Sequence, residues 1–137
     1  MLEFSVTPEK YTCSGVGINP PLSIAGIPEG TKSLALIFDD PDAVGGTFDH
    51  WILYNIAPTQ SQIGENSSVG TAGLNSDQEA IYAPPCPPPG KIHRYTFKVY
   101  ALDATLTLAA KAAKRDVERA MKGHVLAEGK LVGLFSR

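Results

Sequence analysis

Three short polar stretches carry the residues with chemistry to offer: Asp39-Asp40-Pro41-Asp42, Phe48-Asp49-His50-Trp51 and His93-Arg94-Tyr95. A carboxylate beside an imidazole can fix a tautomer or serve as a general base, an imidazole and a phenol can donate to an oxyanion, and Asp with His can hold a divalent metal. Placement selects among these. Asp40 follows one strand-like segment and His50 opens the next, so the two flank a single loop. If those strands pair, as sequential strands do about two-thirds of the time, carboxylate and imidazole open at the same end of a sheet. Strict alternation from His93 to Val99 puts His93, Tyr95, Phe97 and Val99 on one face and Arg94 and Lys98 on the other. A histidine and a phenol at the polar end of an apolar strand face suit the floor of a half-buried pocket.

Each stretch alone has a plainer reading. Asp-Pro-Asp is a common turn, and a histidine at a strand start is more often a satisfied edge residue than a ligand group. The run Pro84-Pro85-Cys86-Pro87-Pro88-Pro89-Gly90 shifts the balance, because it stiffens the approach to His93 at the cost of many backbone donors.

The elements that must position these groups are mostly strands. Leu2 to Thr7, Ser33 to Phe38, Phe48 to Ile56 and His93 to Leu102 are β-branched or aromatic and bounded by Gly, Pro and Asp. Between Pro58 and Gly90 the chain is rich in turn residues and weakly periodic, which predicts an extended functional loop region. One helix is expected from Lys114 to Lys122, with Val117, Ala120 and Met121 on one face, an i,i+4 pair of Glu118 and Lys122, and Gly123 at the stop. The tail Leu131 to Arg137 reads as a short last strand that frays at Arg137.

Length bounds the organisation: 137 residues predict one domain, 1–137, able to bury a core unaided. A net charge of −2 with scattered charges excludes the basic footprint of nucleic-acid binding. No apolar stretch is long enough for a membrane span, the N-terminus has charges and a proline where a secretory core would lie, and the expected compartment is the cytoplasm. Cys13 and Cys86 lack zinc-site spacing. A disulfide between them stays open: their two loops would have to meet, and cytosolic thiols are usually reduced.

The segments DDPDAVGGTFDHWILYN, YAPPCPPPGKIHRYTFKVYALD and GHVLAEGKLVG, in this order, resemble the phosphatidylethanolamine-binding protein family, especially its short bacterial and archaeal members. The likeness runs from about Tyr11 to Gly133. It implies a mainly β fold: a large antiparallel sheet packed on a smaller one with Greek-key connections, plus one or two peripheral helices. It also implies an anion pocket built from Asp40, His50, His93 and Tyr95, with Phe48, Tyr82, Pro84 and Pro85 as walls. Two departures from the family pattern stand out, the second of them in the pocket. Val44 stands where the family often has proline, and Ala83-Pro84 replaces a glycine whose N–H could meet a phosphate, which predicts weaker phosphate binding. The sequence ends at Arg137, where larger relatives continue into a helix beside the pocket, so a more open site is expected.

The function expected from all of this is binding of a small anionic ligand, a phosphate or carboxylate group, without catalysis, cofactor or resident metal. The resemblance implies a regulator that inhibits a kinase or a protease, with a homodimer left open. Two alternatives stand beside it. One is a serine protease inhibitor presenting the polar stretch from Gly64 to Ala80. The other is a hydrolase using Asp40 and His50, or Asp40, Asp42, His50 and His93 around a metal. Neither a Gly-x-Ser-x-Gly elbow nor an HExxH helix is present, and Cys86 is wedged between prolines.

Overall fold

Ser33 to Phe38 is almost wholly apolar because both faces of the strand it forms are covered. In the computed structural model, which describes residues 2–4 and 8–136 and the side chains of residues 10–132, this strand is the middle of a five-stranded antiparallel sheet. Even-numbered Leu34, Leu36 and Phe38 join one core cluster with Leu22, Ile24 and Ile63, and odd-numbered Ala35 and Ile37 join a second with Val117 and Met121. A small sheet lies over the first face and a helix over the second. A strand sandwiched in this way has no polar side to alternate with.

Among the described residues, eight strands and one α-helix succeed one another along the chain: β1 Leu2–Phe4, β2 Leu22–Ile24, β3 Ser33–Asp40, β4 Phe48–Ile56, β5 Gln62–Ile63, β6 Thr71–Ala72, β7 Ile92–Leu102, α1 Lys114–Met121 and β8 Val125–Ser136. A 3₁₀ turn spans Pro8–Tyr11. The large sheet has the order β6-β4-β3-β7-β8 and the small one β1-β2-β5. Strands β3, β4 and β6 lie in sequence across the sheet, and β7 returns to lie beside β3 on its other side. That return is a Greek key, as the family resemblance implies.

Two irregularities interrupt the β3–β4 ladder. Leu34 pairs with Ile56 but Leu36 with Leu53, and Phe38 pairs with Trp51 but Asp39 with Asp49. At each step β4 carries one residue more than β3, so Asn55 and His50 are bulged. Asn55 takes a left-handed φ of 52°, which asparagine tolerates, and its side chain bonds the Leu106 backbone through both N–H and C=O contacts. The bulge at His50 turns its side chain to the face of Trp51 instead of the opposite one.

Several element boundaries differ from the sequence reading. Strand β3 runs two residues further and carries Asp39 and Asp40 itself, so the turn begins at Pro41. Helix α1 ends at Met121, with Lys122 as its cap and Gly123 in the left-handed region at φ 84°. Burial of Val117 and Met121 on the sheet contributes roughly 1.5–3 kcal/mol apiece. Strand β8 is longer than the expected tail segment: it starts at Val125 and pairs with β7 from Leu102 back to Ile92. Thr7 and the expected fraying of Arg137 lie outside the described residues. The loop-rich stretch from Pro58 to Gly90 contains only the two-residue strands β5 and β6, and much of it folds over one end of the large sheet.

The two cysteines, whose pairing the sequence leaves open, are bridged. Cys13 and Cys86 have Cα atoms 5.3 Å apart in a disulfide, and the Cys13 N–H donates to the Pro85 carbonyl at 3.0 Å. The two loops meet because the 3₁₀ segment and the proline run pack side by side.

Candidate functional site

Adjacent residues on a strand face opposite ways, so Asp39 and Asp40 serve different surfaces. Asp39 turns to the helix side, where Lys98 stands at 3.2 Å and Lys114 at 3.8 Å, and Lys114 also bonds Asp49 at 2.8 Å. Asp40 turns to the other side. Its Oδ2 meets His93 Nδ1 at 2.6 Å, and its Oδ1 accepts the Asp42 N–H at 2.8 Å. Both Asp40 and His93 are buried, at 3% and 7% exposed. His93 comes from the start of β7, next to β3 in the sheet, which is why the strand pairing brings the two together.

His50 reaches the same cavity by way of its bulge. Its ring lies 4.7 Å from Phe48, 5.3 Å from Phe38 and 5.5 Å from Tyr95, centroid to centroid. Nδ1 donates to the Ala83 carbonyl at 2.8 Å, and the Ala83 N–H donates back to the His50 carbonyl at 2.8 Å. Nε2 is buried and has no hydrogen-bond partner among the described residues. Burial pushes the His50 pKa below the ordinary value of 6.5, against the opposing pull of the Ala83 carbonyl and the nearby carboxylates. The ring is therefore neutral at pH 7, with a proton on Nδ1 and a lone pair on Nε2.

These residues line a cavity of about 350 Å³ together with Phe48, Asp77, Ala83, Pro84, Cys86, Tyr95 and the rim residues Ala43, Val44, Pro87 and Pro88. Burial raises the Tyr95 phenol above its usual range, reinforced by Asp40 and Asp42, so it is a donor at any physiological pH. The lining holds two carboxylates and neither lysine nor arginine. Between Pro84 and Pro89 the only backbone N–H is that of Cys86.

Of the residues expected to build the pocket, Asp40, Phe48, His50, Pro84, His93 and Tyr95 come together in this cavity. Tyr82 and Pro85 do not line it. Tyr82 stacks on Phe38 at 5.8 Å and donates its hydroxyl to the Tyr11 carbonyl, so it braces the cavity from behind. Pro85 is buried and presents its carbonyl to Cys13. Asp42, weighed as a metal ligand, is turned outward to a bidentate pair with Arg94 at 2.8 and 2.9 Å, which holds its carboxyl well below the usual range. Among the described residues no three His, Cys, Asp or Glu side chains converge as a metal site would need. Ala43, Val44, Asp77, Ala83 and Cys86 also line the cavity, and the sequence analysis does not count them among the pocket residues. The Pro-rich run was its one pointer to Cys86 and to the Ala83 carbonyl.

The stretch from Gly64 to Ala80 is pinned at intervals. Glu65 pairs with Lys10 at 2.8 Å, the Asn19 side chain accepts the Ser67 N–H, and Asn75 Oδ1 accepts from Asp77 and Glu79. Among the described residues no helix is long and apolar enough to cross a membrane.

The family model described as phosphatidylethanolamine-binding protein matches residues 3–136. The chain is 47% identical over 140 residues to a UPF0098 protein of Pyrococcus horikoshii, covering 95% of this chain and 70% of that one. It is also 47% identical over 137 residues to a UPF0098 protein of Methanothermobacter thermautotrophicus, covering 95% and 90%. The crystal structure of a phosphatidylethanolamine-binding protein homologue from Chlamydia trachomatis superposes with a TM-score of 0.95 at 39% identity, covering 99% of this chain and 96% of that one. YbcL of Escherichia coli, a member of the mammalian family, superposes with a TM-score of 0.83 at 28% identity, covering 98% and 87%.

Proposed function

Because the chain belongs to the phosphatidylethanolamine-binding protein family, we propose that its pocket takes a small oxyanion, a phosphate monoester before a carboxylate, and takes it together with a proton. The observation that carries this reading is the buried, unpartnered Nε2 of His50. A buried lone pair asks for a donor, and a bare oxyanion has none. A singly protonated phosphate does: its P–OH can donate to His50 Nε2 while its other oxygens accept from Tyr95 and His93. His93 imposes the same condition. With its Nδ1–H given to Asp40, Nε2 donates only when the ring carries its second proton, and the Asp40 carboxylate at 2.6 Å is placed to balance that charge. With no lysine or arginine in the lining, proton uptake supplies the positive charge that a fixed cation supplies elsewhere.

The protein is on this reading a binding protein and not a catalyst. Cys86 is tied up in the disulfide, and neither histidine has a hydroxyl or thiol nucleophile bonded to it. The kinase or protease that the family resemblance implies as a target would meet the rim, where Val44 is 89% exposed.

Calorimetric titration with O-phosphorylethanolamine tests this. The second phosphate pKa lies near 6, so binding of the monoanion should weaken by about tenfold or more between pH 6 and pH 8. A charge-assisted bond is worth about 1.5–3 kcal/mol and a neutral one about 0.5–1.5 kcal/mol, so His93→Ala should weaken binding by roughly ten- to a hundredfold and His50→Ala by roughly two- to tenfold. Asp40→Asn removes the carboxylate that meets His93 at 2.6 Å and should weaken binding as well. Affinity that ignores pH, or that survives both histidine replacements, overturns the assignment.

A further inference from the structure

A second cavity, of about 290 Å³, neighbours the ligand pocket along residues 80–84. Ala83 and Pro84 line the ligand pocket, while Ala80, Ile81 and Tyr82 line this one. The division repeats on β4, where His50 serves the first cavity, and Trp51 and Leu53 serve the second. Val69 adds to its apolar wall, and Asn66 and Ser68, both exposed, stand at its mouth. Among the described residues no charged side chain lines it.

The walls of this cavity are pinned in place. Asn19, 3% exposed, donates through Nδ2 to the Pro20 and Gly64 carbonyls and accepts the Ser67 N–H. Ser67 Oγ accepts the Val69 N–H, and Gly70 packs so closely on β4 that a Cβ would not fit. The segment that covers β4 therefore cannot settle into the space. At the floor Trp51 is 3% exposed and meets Tyr82 edge-on at 5.5 Å, yet its indole N–H has no hydrogen-bond partner among the described residues. This N–H is not sealed off as His50 Nε2 is, so the opening left to the ring is the cavity that it lines. A buried indole N–H normally finds an acceptor. The Asn66 amide and the Ser68 hydroxyl likewise make no hydrogen bond to a described residue.

We propose that this cavity is a second binding site, and that it takes an uncharged molecule with a branched aliphatic body and a carbonyl group, a neutral acyl amide. The aliphatic part fills the space among Leu53, Val69 and Ile81. The carbonyl accepts from Trp51 Nε1–H, a group that can only donate, and the amide N–H groups meet Asn66 and Ser68 at the mouth. A charged ligand loses hydration on entry and finds no opposite charge to replace it. The demand at His50 and His93 is the reverse, so the two cavities select different molecules, and the second does not depend on the first taking a phosphate.

Trp51 is the only tryptophan in the chain, so a single indole cross-peak in the proton–nitrogen correlation spectrum of the intact protein reports on the site. N-acetyl-leucinamide is the probe. It should move that cross-peak downfield as the N–H gains an acceptor, and saturate with a Kd on the order of 1 mM, in keeping with its size. N-acetyl-leucine and leucinamide have nearly the same shape but carry a charge, and should bind about tenfold more weakly. Ala80→Leu adds bulk to the lining and should abolish the shift while the rest of the spectrum stays in place. Trp51→Phe keeps a ring but loses the donor, and titration followed on the amide cross-peaks of the lining residues should show binding weakened by about three- to tenfold. O-phosphorylethanolamine should not displace the probe. An indole cross-peak that N-acetyl-leucinamide leaves unmoved, equal affinity for all three compounds, or displacement by O-phosphorylethanolamine overturns the proposal. So does a shift that survives Ala80→Leu, or binding unchanged in Trp51→Phe.

Discussion

His50 gives up hydration that its surroundings only half restore. Its Nδ1–H is bonded, its Nε2 is not, and its pKa is held below 6.5. In the unfolded chain the same ring takes up a proton at about pH 6.5, so below that pH the unfolded state binds more protons than the folded one. Stability contributed by the neutral ring is full above pH 6.5 and is lost as the pH falls toward the lowered native value. Thermal unfolding between pH 7.5 and 5 should therefore show a falling Tm, and His50→Asn should flatten that slope. An equal slope in the variant would assign it elsewhere. The acid side chains Asp42 and Glu65, also held low by their ion pairs, titrate well below this window and lie at the surface, where such pairs contribute little. At this scale the sequence was readable where a strand is regular. Alternation along β7 placed His93 and Tyr95 correctly on the buried face. It could not place His50, because the bulge that turns the ring into the cavity leaves no mark in the residue types of β4.

Elements show the same division between regular and irregular. The continuous apolar run of β3, the core face of α1 and the Gly123 stop were legible because each expresses one periodicity. Strand β8 was cut short in the sequence reading because Gly129 and its flanking charges look like a turn when they are in fact the middle of an edge. The small strand β6 rests on a glycine that no pattern reveals. Gly70 has φ 69°, and a Cβ there would stand 2.7 Å from the Ile56 side chain and 2.8 Å from the Tyr54 carbonyl. Both the left-handed backbone and the missing space demand glycine. Gly70→Ala should cost about 2 kcal/mol or more, because strain and overpacking act together. Gly64→Ala, with nothing within 4 Å of the added carbon, should change stability by under about 0.5 kcal/mol. Urea unfolding of the two variants compares them directly, and equal midpoints would remove the close packing of β4 against the segment that covers it.

Across the whole molecule the question that the sequence leaves open is the covalent one, and its answer joins the fold to the pocket. The Cys13–Cys86 bridge closes a loop with a sequence separation of 73, which contains the small sheet's β2 and β5, the whole of β3 and β4, and the stretch that covers the cavity. Chain-entropy reasoning assigns such a closure about 4 kcal/mol, with measured native bridges usually giving 2–5 kcal/mol. The disulfide was not legible because nothing in residue spacing says that two loops so far apart in sequence lie side by side. Its partners on each side explain why they do: the Cys13 N–H bonds the Pro85 carbonyl, and Pro84 lies against Gly17, where a Cβ would come within 3.1 Å of the proline ring. Since Cys86 also lines the cavity, opening the bridge should loosen one wall of the pocket while leaving the Asp40–His93 pair on its strands. Native protein should show no free thiol until it is unfolded under reducing conditions. Cys13→Ser/Cys86→Ser should lower stability by about 2–4 kcal/mol, a Tm decrease on the order of 10 °C for a chain of this size. Reductant should move the wild type to the same unfolding midpoint and leave the double variant unmoved. Titration of O-phosphorylethanolamine into the folded double variant should show weaker binding than wild type with the same pH dependence, because the loosened wall is separate from the groups that take up the proton. Free thiols in the native protein, or a wild-type midpoint indifferent to reductant, would mean that the bridge does not hold these two loops together.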